Sequence, residues 1–236
     1  MRIKINFTKN TKTVDFSNQQ FINSFIHQSL GKNNVYHDSN SDYVVSDLRG
    51  GKINEDNTGL NYTNGGFVIV SSLLLNFLET LIEGFPKTKD RFEMFGMKYK
   101  NYDFLPEERF FNGINYFKTL SPILLKENVE KDKCYFVTLK DKNFAEKLTN
   151  HTINKFSKIN PNLNFSGFRI ELSKNNKYNK NKRIFVKNIQ NMGTLCQLDV
   201  YCNREVAKHI YEYGLGKSTG SGFGCVYKTE NGHLYR

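Results

Sequence analysis

The chain has 236 residues, a formal charge of +11, and 38% apolar residues that include 20 Phe and 13 Tyr. That length holds one large domain or two of about 110–120 residues, and so much apolar and aromatic side chain excludes wholesale disorder. The positive excess points to a polyanionic partner, with nucleic acid the commonest, although Lys- and Asn-rich usage also follows from an AT-rich genome.

Arg2–Phe7 alternates polar and apolar residues, which predicts a half-buried strand. In Phe16–Leu30 the apolar residues Phe21, Ile22, Phe25, Ile26 and Leu30 recur at helical spacing, with Ser17 or Asn18 as cap and His27 at the edge of the stripe. A polar segment, Gly31–Asn40, carries Tyr36 and His37. Strands are predicted over Asp42–Leu48 and Gly66–Val70, with a break at Gly50-Gly51-Lys52. Ser71–Gly84 is the clearest helix, capped by Ser71 or Ser72 and ended by Gly84. Phe92–Phe104 alternates again. Strand, helix, strand, strand, helix, strand is the split βαβ, or ferredoxin-like, unit.

A second round follows. Strand character runs through Phe111–Leu125 and Cys134–Leu139, and Phe144–Phe156 predicts a helix. Phe165–Leu172 and Arg183–Ile189 are expected to pair as a hairpin around Ser173–Lys182. Thr194–Cys202 predicts a strand, Asn203–Tyr213 a helix and Phe223–Tyr227 a last strand. The fold class is therefore α+β: two tandem ferredoxin-like (RRM-like) domains, 1–105 and 106–236, the second with a glycine-rich loop near its end. No apolar run approaches the roughly 18 residues of a membrane span, and Met1-Arg2-Ile3-Lys4-Ile5 does not resemble a secretory signal. Cys134, Cys196, Cys202 and Cys225 form no C-x-x-C pair and are expected to be buried, reduced thiols. The expectation is a cytoplasmic protein without metal or cofactor.

The loop is Gly214-Leu215-Gly216-Lys217-Ser218-Thr219-Gly220-Ser221-Gly222-Phe223-Gly224, with five glycines in eleven residues. Glycine admits positive φ and close approach of the backbone, and exposed amides beside a lysine make a concave anion site. The stretch either binds an anion or is a flexible turn. It is not a P-loop, because Tyr211 stands where the first glycine should be. Nor is it a dinucleotide fingerprint, because Thr219 replaces the third glycine and the helix precedes the loop.

Gly214-Leu215-Gly216, a basic Lys217, then Gly222-Phe223-Gly224 resembles the C-terminal loop of the CRISPR-associated repeat-RNA-processing endoribonucleases of the RAMP superfamily. Thr119-Leu120-Ser121-Pro122-Ile123 is similar to the Leu-Ser-Pro segment that opens their second half. The resemblance implies tandem ferredoxin-like domains and a CRISPR repeat RNA as partner. It also implies metal-independent cleavage by the RNA's own 2′-OH, leaving a 2′,3′-cyclic phosphate and a 5′-OH. It places the catalytic histidine after the first helix, where His37 falls, and a second participant within that helix, where His27 stands.

Histidine, with an ordinary pKa of about 6.5, can exchange protons at neutral pH, and a lysine such as Lys52 can offset transition-state charge. For RNA contacts the candidates are Gly214, Gly216, Lys217, Ser218, Gly220, Gly222 and Gly224, with Lys180, Lys182 and Arg183 from the basic Lys174–Arg183 segment. His151 and His209 lie on predicted helices and fit surface or packing roles. The other reading is a non-catalytic RAMP subunit of a CRISPR effector complex; under either reading the chain is expected to be a monomer or homodimer. A third, a generic RRM-like single-strand binder, lacks the RNP1 pattern.

Overall fold

The computed structural model describes residues 1–31, 34–36, 42–89, 91–130, 133–174, 178–186 and 189–230. In chain order the first part contains β1 (Arg2–Phe7), α1 (Gln19–Leu30), β2 (Tyr43–Val45), β3 (Lys52–Ile53), β4 (Leu60–Asn61), β5 (Gly66–Ser72), α2 (Leu75–Lys89) and β6 (Tyr99–Phe104). The second contains β7 (Gly113–Thr119), β8 (Leu125–Glu130), β9 (Lys133–Val137), α3 (Phe144–Ile159) and β10 (Arg169–Leu172). It continues through β11 (Lys180–Val186), β12 (Ile189–Leu195), β13 (Gln197–Cys202), α4 (Arg204–Tyr213) and β14 (Val226–Thr229).

Two antiparallel sheets carry the fold, ordered β2-β5-β1-β6 and β10-β13-β7-β14. The two orders are the same permutation of a βαββαβ chain, as the tandem ferredoxin-like expectation requires. In β1 the alternation works as the sequence suggests, with Ile3, Ile5 and Phe7 buried under the helices. Ile22, Phe25, Ile26 and Leu30 of α1 complete that core, where the Phe25 ring packs among Phe7, Phe85 and Phe92. The second core joins Phe117, Phe144, Leu148, Phe156, Leu198, Val200, Val206 and Ile210.

The structure departs from the sequence expectations at both ends of α2, at the basic segment and at Cys134. Ser71 and Ser72 do not cap α2 but end β5, and the helix begins at Leu75. Gly84 does not end α2, which runs on through Pro86 to Lys89. A Cβ at residue 84 would stand 1.7 Å from the Ser29 carbonyl oxygen, so the glycine is there for the crossing of α2 over α1. The expected hairpin around 173–182 does not form. β10 pairs with β13, and β11 pairs instead with β12, from Lys180 opposite Leu195 to Val186 opposite Ile189. The basic segment is thus a connector followed by the first strand of a hairpin. Cys134 is exposed on β9, while Cys196, Cys202 and Cys225 are buried.

The halves are joined through buried surface. Val44, Ile69, Leu120 and Cys225 form a small apolar cluster between the sheets, flanked by Phe67, Leu105 and Tyr227. Beside it Arg2, only 3% exposed, lies 3.4 Å above the Tyr211 ring. It donates to the carbonyls of Tyr211 and of Val226, the latter at 2.9 Å. Glu212 accepts from the Ser71 hydroxyl and pairs with the N-terminal amine at 3.1 Å. Buried charges persist only when satisfied in this way.

At an exposed helical position Gly→Ala stabilises by roughly 1 kcal/mol. At the α1–α2 crossing the sign reverses: Gly84→Ala is expected to cost about 2 kcal/mol or more, read as a lower urea midpoint. A stability gain would mean that the helices do not cross this closely.

Candidate nucleic-acid interface

The glycine loop leaves α4 at Gly214 and docks on the Leu-Ser-Pro segment. Leu120 N–H and Ser121 N–H donate to the Cys225 carbonyl at 2.7 and 3.2 Å, and Gly224 N–H donates to the Pro122 carbonyl at 2.9 Å. Ser121 Oγ accepts from Cys225 N–H at 2.9 Å and donates to the Val45 carbonyl at 3.4 Å, so it touches both halves. Lys217 N–H donates to the Leu124 carbonyl and Leu215 N–H to the Gly224 carbonyl. On the other side Thr219 Oγ1 donates to the Tyr43 carbonyl at 3.1 Å. The two motifs quoted from the sequence are therefore one structural unit.

This packing accounts for most of the glycines. Gly214, Gly216, Gly222 and Gly224 all have positive φ. A Cβ on Gly224 would meet the Leu215 carbonyl oxygen at 1.8 Å, and one on Gly216 the Leu124 carbonyl oxygen at 2.6 Å. Gly214 and Gly222 face Val44 and Gln19 of the first half. Within the loop Lys217 and Ser218 are exposed, and Gly220 is buried. The backbone amides of Gly216, Ser218, Thr219 and Gly220 donate to no described residue.

Lys217 and Ser218 open onto a cleft of about 900 Å³. Its other walls are His151, Asn154, Lys155, Lys158 and Ile159 of α3, Tyr213, Leu74 and Asp42. His151, Lys155 and Lys158 follow one another at i, i+4 and i+7, the spacing that lines up one helical face. Lys155 and His151 are half-buried and Lys158 is exposed. The Lys155 ammonium donates to the carbonyls of Tyr213 at 3.0 Å and Gly214 at 3.4 Å, tying α3 to the root of the loop. Burial pushes its pKa down to about 7, opposed by Asp42. Asp42 is itself pushed up by burial, with Lys155 pulling the other way. His151 is pushed down to about 4 by burial, reinforced by Lys155, Lys217 and Lys158.

His37 lies outside the described residues, but it is five positions before Asp42, which lines the cleft. His27 is half-buried on α1. Lys52 is exposed on β3 and is not among the cleft residues. Lys180 and Arg183 are exposed on β11, whereas Lys182 binds Asp47 at 2.8 Å. The β11–β12 hairpin meets the loop through an apolar cluster of Ile184, Leu124 and Phe223. His209 packs against Phe156 and Tyr213, and its Nδ1–H donates to the Glu205 carbonyl at 2.9 Å. His151, Lys155 and Lys158 did not stand out in the sequence as site residues, although their helical spacing could have marked them.

A second surface pairs aromatic rings with cations. On the face of the second sheet away from its helices, Arg169 lies 3.4 Å above Tyr201 and Lys118 lies 3.4 Å from the Tyr178 ring centre. On the first sheet Lys4 stands over Phe67 at 4.6 Å.

Residues 105–227 match the family model described as CRISPR associated protein Cas6, C-terminal. The chain belongs to the Cas6 family. A curated Cas6 endoribonuclease-like protein of Pyrococcus furiosus is 34% identical over 118 residues, covering 48% of this chain and 47% of the relative. The matched region thus spans about half the length of that relative. Over the whole chain the fold is that of a Cas6-related protein from Pyrococcus furiosus (TM-score 0.81, 24% identity, 98% of this chain and 99% of that one). It is also that of a RAMP protein solved as one binding different RNA substrates (TM-score 0.84, 21% identity, 98% and 100%). These Cas6 and RAMP likenesses agree with the tandem ferredoxin-like architecture. No described helix is long and apolar enough to cross a membrane.

Between about pH 7 and the ordinary lysine value, the unfolded chain holds a proton on Lys155 that the folded chain lacks. Stability therefore gains from this residue as pH rises through that window, and gains nothing below it, where both states are protonated. In Lys155→Met the rise of the urea midpoint from about pH 7 to about pH 10 is expected to flatten. An unchanged rise would show that Lys155 is not buried as a charge.

Proposed function

We propose that this protein binds CRISPR repeat RNA across the glycine-loop cleft and cuts the precursor transcript into guide RNAs. One observation carries the reading: a single cleft lined by Lys217 and the loop, by Lys158 of α3, and by Asp42, which is five residues after His37. Five residues reach at most about 18 Å, which bounds the distance of His37 from Asp42.

In the proposed reaction the 2′-oxygen attacks the adjacent phosphorus as a base takes its proton. The P–O5′ bond breaks as an acid protonates the leaving oxygen. The products are a 2′,3′-cyclic phosphate and a 5′-OH, and no metal is needed because the nucleophile belongs to the substrate. His37 is assigned one of the two proton transfers and His27 the other. Lys217, with the amides of Gly216 and Ser218, which line the cleft, is assigned to the phosphate, and the buried Gly220 to the shape of the turn. The buried Gly214, Gly222 and Gly224 are assigned to the loop's shape. Lys180, Lys182, Arg183 and Lys52 are assigned to flanking RNA, with Lys182 exchanging Asp47 for phosphate. Either of two assemblies fits, monomer or homodimer, free or within an effector complex.

The ring-and-cation pairs on the sheets favour a second reading, a RAMP-type subunit that binds RNA without cutting it. Base stacking on aromatics needs no proton transfer. The test is incubation of the repeat RNA flanking this gene with the protein in EDTA, followed by end-group analysis. Cleavage to a cyclic phosphate, lowered by about 10²–10⁴ in His37→Ala, is the expected result. Binding without cleavage by the wild type would select the second reading, and undiminished cleavage in His37→Ala would remove His37 from the chemistry.

A further inference from the structure

Among the described residues, the histidine that lines the cleft is His151, which the reaction above does not use. Its Nδ1 is buried and has no hydrogen-bond partner. No described group bonds its other nitrogen, and the residue lines the cleft. Buried N–H groups without an acceptor are rare in folded proteins, and Nδ1 has none to donate to. The proton of a neutral ring therefore belongs on Nε2, the nitrogen that opens toward the cleft.

The charged groups around the ring are Lys155 and Lys158 on α3, Lys217 on the loop and Asp42 across the cleft. Among the described residues the lysines around the ring outnumber the carboxylate even with Lys155 partly deprotonated, which opposes an imidazolium, and the direction of the shift at His151 agrees. A ring that stays neutral at physiological pH is a poor acid for a leaving group. It is a good fixed donor to an anion, costing no desolvated charge of its own.

We propose that His151 is a neutral hydrogen-bond donor to a phosphate oxygen of the RNA in the cleft, acting through Nε2–H beside Lys217. The inference rests on the RNA-binding reading above and adds to it a substrate contact from α3. It separates the labour of two histidines: one exchanges protons, the other holds phosphate and never titrates in the working range.

The test uses the full chain with 15N-labelled histidine and a repeat RNA made uncuttable by 2′-deoxy substitution at the mapped junction. The His151 ring is expected to be neutral with the proton on Nε2 at about pH 7, and RNA or inorganic phosphate should shift that nitrogen. His151→Ala should weaken RNA binding about tenfold, and His151→Gln, which keeps a neutral N–H donor, should restore most of it. The slope of log Kd against log salt should stay unchanged in both His151 variants. In Lys217→Gln it should fall by roughly 0.7, the loss of one charge against single-stranded RNA. An imidazolium at about pH 7, a proton on Nδ1, or a slope loss in His151→Ala like that of Lys217→Gln would overturn the proposal. So would unaltered affinity in His151→Ala. A wild-type chain that binds no repeat RNA would sink the functional reading instead. The donor is then judged on inorganic phosphate alone, by whether Nε2 responds.

Discussion

Everything in this molecule depends on how tightly the glycine loop is seated between the two halves. The Leu215 carbonyl oxygen occupies the space that a side chain on residue 224 would need, and the Leu124 carbonyl oxygen occupies that of residue 216. The loop is held from both sides, by Pro122 and Leu124 below and by Tyr43 above. Flexibility is therefore not what the glycines supply. They let the backbone fold back on itself with positive φ while carbonyls press on it at contact distance. The consequence is that Lys217 and Ser218, the exposed residues of the turn, are presented from a fixed base.

The same seating concentrates charge. Packing α3 against the root of the loop brings Lys155, Lys158 and Lys217 around one concavity, with Asp42 as the carboxylate among the residues that line it. Such a site is unfavourable when empty, since the cations repel each other and Lys155 is desolvated. On the proposed reading, a phosphodiester bound there would relieve that repulsion and gain affinity from it. Lys155 also bonds the carbonyls of Tyr213 and Gly214, so loop geometry and cleft charge are coupled through one side chain.

Much of this was legible in the sequence. Period-two alternation in Arg2–Phe7 and the apolar spacing of α1 follow directly from burying one face, and the order of elements gave both sheets. The glycine loop and Leu120-Ser121-Pro122 could be recognised separately, but their contact could not, since it joins residues about a hundred positions apart. Gly84 was misread because a glycine at a helix end and one at a helix crossing look alike until the second helix is placed. The β11–β12 hairpin was misplaced because Lys174–Arg183 reads as a polar turn, and only tertiary pairing shows Lys180–Arg183 to be strand. His151 is not marked by the sequence, because helix position alone does not tell which face meets solvent, core or cleft.

The most direct test of the central claim compares Gly224→Ala with Lys217→Ala by native-state hydrogen exchange and RNA binding. If the loop is a clamp, Gly224→Ala should lower the protection of amides in β2 and α3 together, in both halves, whereas Lys217→Ala should weaken RNA binding and leave protection as it was. Gly224→Ala with full protection in both halves and only a loss of RNA affinity would contradict the account.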